Sequence, residues 1–66
     1  MNSKIIEKVE SARKLLEQAQ QNITLSETLT DRAKFVCQRK ALKFLDEAGQ
    51  RAFEAQAKLN SDILSG

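Results

Sequence analysis

Apolar residues recur near the start of the chain at Ile5, Val9, Ala12, Leu16, Ala19 and Ile23. Their spacing alternates four and three, the repeat of a helix that lays one stripe against a neighbour. Leu15 and Ile6 widen the stripe, and Glu7, Glu10, Arg13, Lys14 and Glu17 occupy the opposite side. The pattern predicts a helix over about residues 4–22, with the Ser3 hydroxyl placed to cap its first turn. This stripe is narrow enough to be satisfied by one neighbouring helix.

A second helical pattern runs from about Asp31 to Leu59. At 100° per residue, Arg32, Arg39, Lys40, Lys43, Asp46, Glu47, Arg51, Glu54 and Lys58 share one side. Phe35, Cys37, Ala41, Leu42, Phe44, Leu45, Ala48, Ala52, Phe53, Ala55 and Leu59 share the other, where Lys34 is the one charge. Glu10 with Lys14, Glu47 with Arg51 and Glu54 with Lys58 stand at i,i+4, the spacing of helix-stabilising pairs. Between the helices, Thr24 with Glu27 and Thr28 with Asp31 both match the capping-box pattern. The second helix is expected to start at Thr28–Asp31, after one turn of irregular helix. The tail Ile63-Leu64-Ser65-Gly66 is expected to fray or to pack back.

Together these segments predict an all-α fold: an antiparallel two-helix hairpin forming a single domain over residues 1–66. Gly49 supports an alternative of three short helices, because glycine costs about 1 kcal/mol in a helix interior relative to alanine. The phase of the apolar pattern continues through Gly49, which favours one helix. Gly49 would then admit a close neighbouring backbone.

The two patterns are unequal. At 1.5 Å per residue the helices would span about 28 Å and about 43 Å, and the second apolar sector covers roughly half the circumference. Its centre is small (Ala41, Ala48, Ala52, Ala55), between Phe35, Leu42 and Phe53 on one flank and Cys37 and Phe44 on the other. Such a ridge could hold helix one on one flank and another helix on the other. A chain of 66 residues makes only a marginal core, so completion by self-association or by a partner helix is expected.

Composition narrows the function classes. There is no histidine, and Cys37 is the single cysteine, so neither an imidazole metal site nor an internal disulfide is available. Cys37 lacks a neighbouring base and reads as a small buried apolar residue. Asp46 and Glu47 are adjacent, point about 100° apart and cannot share a substrate. No Gly-rich phosphate loop, signal peptide or membrane span is evident, and an unpaired thiol fits the cytoplasm. No catalysis, metal or cofactor is expected.

The expected function is that of a non-catalytic protein-interaction module of adaptor, co-chaperone or inhibitor type. It would offer Phe35, Leu42, Phe44, Leu45, Ala48, Gly49, Ala52, Phe53 and Leu59 to a partner helix or to a second copy. The alternative is a nucleic-acid-binding accessory protein. Arg32, Lys34, Arg39, Lys40 and Lys43 follow one another without an intervening acid, and Arg32, Arg39, Lys40 and Lys43 could meet phosphates or an acidic partner. The net charge of only +2 and the acids from Asp46 onward weigh against nucleic acid.

Overall fold

The computed structural model describes residues 3–66 and consists of two helices, α1 (Ser3–Ser26) and α2 (Asp31–Ser65), packed as a hairpin. α2 is continuous through Gly49, so the three-helix alternative does not hold. Its 35 residues extend for about 52 Å at helical rise, which accounts for the overall dimensions of 53 × 14 × 11 Å.

Both helices run past their expected ends. α1 continues four residues beyond Asn22, and α2 six beyond Leu59. Thr24, Leu25 and Ser26 are helical, and so is the tail through Ser65, which neither frays nor folds back. Ser3 is itself within α1.

The turn uses different chemistry from either capping box. Its backbone consumes the carbonyls that a helix end leaves open. Glu27 N–H donates to Ile23 and Thr24, Thr28 N–H to Leu25, and Leu29 N–H to Ser26. The Thr28 hydroxyl, read as a cap for α2, instead donates to Leu25 of α1 at 2.8 Å. Thr30 is the N-cap of α2 by its extended backbone, and its side chain makes no capping bond. Asp31 enters α2 at φ 56°, a left-handed conformation that Asp tolerates better than most residues. Its carboxylate stands in the first turn, where the helix dipole favours negative charge.

The seam between the helices follows a strict heptad. Along it run Ile5, Lys8, Ala12, Leu15, Ala19, Asn22 and Ser26 of α1 and Cys37, Ala41, Phe44, Ala48, Arg51 and Ala55 of α2, with Ser11, Glu47 and Glu54 half-buried at its polar edge. The buried members recur every seventh residue and are small: Ala12, Ala19 and Ser26 on α1, and Ala41, Ala48 and Ala55 on α2. Cys37 is also buried, as its apolar setting implied. Small side chains let two helix backbones approach closely, and the approach hides what lies between them.

This seam corrects two expectations. Helix one lies on the small centre of α2, not on a bulky flank. On α1 the seam is rotated by one row, so that Lys8, Leu15 and Asn22 line it while Val9, Leu16 and Ile23 stay exposed. The reason is steric, because contact through Ala12, Ala19 and Ser26 places Val9, Leu16 and Ile23 to one side.

Ala19, 1% exposed, tests the close approach. Ala19→Leu would force the helices apart and cost about 1–3 kcal/mol, the usual range for overpacking. Thermal denaturation followed by circular dichroism should show a clear loss of stability, whereas Lys14→Leu, which adds similar bulk on the exposed outer face of α1, should cost much less.

Candidate interaction surface

The seam divides the hairpin into two long sides. From the Ala12–Ala19–Ser26 row, a rotation of about +60° leads to Val9, Leu16 and Ile23. From the Ala41–Ala48–Ala55 row, about +40° leads to Leu45, Ala52 and Leu59. In an antiparallel pair, equal senses of rotation lead to the same side of the seam. All six residues therefore share one side, and Leu42, Gly49, Phe35 and Phe53 continue it around α2.

This side is apolar and open. Val9 is 52% exposed, Leu42 62% and Phe53 71%. Leu16, Ile23, Phe35, Leu45 and Leu59 are also exposed. Gly49 lies in its middle, and a Cβ built there would meet nothing within 4 Å. Gly49 thus plays no part in packing within the chain.

The opposite side is polar. Lys8 Nζ donates to Glu54 Oε1 at 2.8 Å, linking the helices. Arg51 reaches the same oxygen at 3.7 Å. Lys4, Glu7 and Ser11 complete this shallow groove. Among the described residues these are the only ion pairs, so the expected pairings of Glu10 with Lys14, Glu47 with Arg51 and Glu54 with Lys58 do not form. Arg51 and Glu54 are drawn toward the seam because Lys8 stands across from them.

The bond from Lys8 holds the Glu54 carboxyl below the usual glutamate range, helped by the charges of Lys8, Arg51 and Lys58, while desolvation opposes them. The same pair marks the register, in which Leu16 lies about level with Asp46 and Ile23 with Arg39.

The expected interaction residues divide accordingly. Phe35, Leu42, Leu45, Gly49, Ala52, Phe53 and Leu59 gather on the open apolar side. Ala48 does not join them, being buried in the seam at 3% exposure. Phe44 lies half-buried on the polar side. Val9, Leu16 and Ile23 were missed as surface residues, because a stripe on α1 was assigned wholly to the hairpin. The seventh-residue recurrence of Ala12, Ala19 and Ser26 was the signal that separates seam from surface.

The basic residues Arg32, Arg39, Lys40 and Lys43 are all exposed. Arg39 stands over the Phe35 ring at 5.9 Å, within cation–π range. That contact occupies a face of Phe35, and the other aromatic near the cluster, Phe44, is half-buried beside Lys40 and Lys43. Among the described residues no group of His, Cys, Asp and Glu could hold a metal. No helix is long and apolar enough to cross a membrane.

Comparison with family models, with characterised proteins and with solved structures finds no match to this chain.

Because the folded-state pKa of Glu54 is lowered, its stabilising pair is intact above the ordinary glutamate range and is lost as pH falls through the depressed value. Denaturation at about pH 7 and about pH 3 should show acid weakening the native chain more than Lys8→Met, in which the pair is already broken. Equal acid sensitivity of the two would show that the pair does not couple the helices.

Proposed function

We propose that the protein is a non-catalytic interaction module that binds through the open apolar side of its hairpin. One observation carries this reading. Every buried hydrophobic residue of the hairpin is alanine or cysteine, and no large side chain is fully buried. Aliphatic and aromatic side chains in heptad rows on both helices are left facing water. Contiguous apolar surface of this kind marks interaction sites. The amphipathic rows suit a helical partner, which would insert its own side chains between those of α1 and α2.

The polar side supports the same assignment by contrast. Lys8, Glu54 and Arg51 meet one another there, whereas most of the exposed large apolar residues lie on the other side. The basic cluster of α2 borders the apolar side through Arg39 and Phe35 and would contribute at its rim to an acidic partner.

Two leucines, one from each helix, test the reading. The native protein should either sediment above its monomer mass or, as a monomer, bind a dye specific for apolar surface. Leu16→Asp combined with Leu45→Asp should abolish whichever signal is present. Helical circular dichroism of the isolated hairpin should change little, since neither residue is in the seam. A native monomer that binds no such dye would refute the proposal.

A further inference from the structure

We infer that the occupant of the apolar side is a second copy of this chain, packed so that α2 runs antiparallel to α2 of the second copy and the two turns lie at opposite ends. This deepens the reading above and rests on it.

A compact monomer of 7.4 kDa should expose about 4,200 Å², and this chain exposes 5369 Å². The surplus, roughly 1,200 Å² on that scaling, exceeds the approximately 800 Å² per partner of a standard interface. The radius of gyration is 15.4 Å, against about 11 Å for a compact chain of this length.

A two-fold interface must also be self-complementary. Take a two-fold axis at the level of Glu47. Leu45 then falls against Gly49 of the second copy, and Leu42 against Ala52. Bulk meets a gap in both directions, and the gap at Gly49 is open to receive it. The same operation sets Phe35 beside Leu59 of the second copy and Gln38 beside Gln56.

The register marked by Lys8 and Glu54 puts Glu47 about level with Leu15, so one axis must serve both helices. On α1 it brings Arg13 opposite Glu17 of the second copy, twice over. Neither residue has an ion pair within the described chain. Both flank the Val9–Leu16–Ile23 row on its outer edge.

Sedimentation equilibrium over about 5–500 µM, where mass action would reveal association, reads the result. The native chain should approach twice 7.4 kDa. Gly49→Leu should remain fully helical and become monomeric, because the added side chain has room in one hairpin but none against Leu45 of a second. Arg13→Glu and Glu17→Arg should each shift the chain toward monomer. Mixing the two should restore the dimer as a heterodimer.

A dimer indifferent to Gly49→Leu, or variants whose mixture stays monomeric, would overturn this arrangement. A native monomer that binds apolar dye would overturn the second copy as occupant while leaving the interaction surface standing. A native monomer without dye binding would remove both.

Discussion

The close approach of two helices through residues too small to hold them apart governs the rest of this molecule. Ala12, Ala19 and Ser26 on α1 and Ala41, Ala48 and Ala55 on α2 recur every seven residues, the repeat a supercoiled pair requires. Replacing side-chain bulk by backbone proximity makes the seam thin. The thinness decides which flanking residues fall beside it and on which side. Lys8, Arg51 and Glu54 fall where they meet one another, whereas Val9, Leu16, Leu45 and Leu59 fall where the chain offers them nothing.

The energetics follow from that geometry. A buried methylene or methyl group is worth about 0.8 kcal/mol, so a seam of alanines gains far less than one of leucines. Ordering a residue's backbone costs roughly 1–2 kcal/mol. Helix propensity, the ion pair at Glu54 and the satisfied carbonyls of the turn contribute, but the large apolar payload of the sequence lies outside the seam. Folding and association are therefore expected to be linked, as in proteins whose core is completed by a partner. Two helices in a single layer have only the seam between them as an interior, and no large side chain is fully buried there.

Much of the fold was legible because helix content depends on local propensity and periodicity. The absence of proline and the unbroken phase across Gly49 pointed to a long second helix, and the helix is there. The ends were harder to read. Thr24 and Thr28 looked like caps because residue type alone cannot distinguish a hydroxyl that starts one helix from one that closes the helix before it, as Thr28 does at Leu25. The surface was legible on α2, where the apolar sector is plainly too wide for one neighbour. On α1 the size of the residues, not their hydrophobicity, distinguishes seam from surface. Val9 and Leu16 are the more hydrophobic choice for a seam, yet the structure closes on Ala12 and Ala19. The partnership of Lys8 and Glu54 depends on inter-helix register, which neither helix encodes alone.

The most direct test of this account is the thermal midpoint of the native chain as a function of its own concentration. If the large apolar residues form a core only between molecules, the midpoint must rise steadily with concentration, because association stabilises the folded state by mass action. A midpoint that does not move, in a chain that remains monomeric throughout, would mean that the alanine seam holds the fold unaided and that the open apolar side contributes nothing to it.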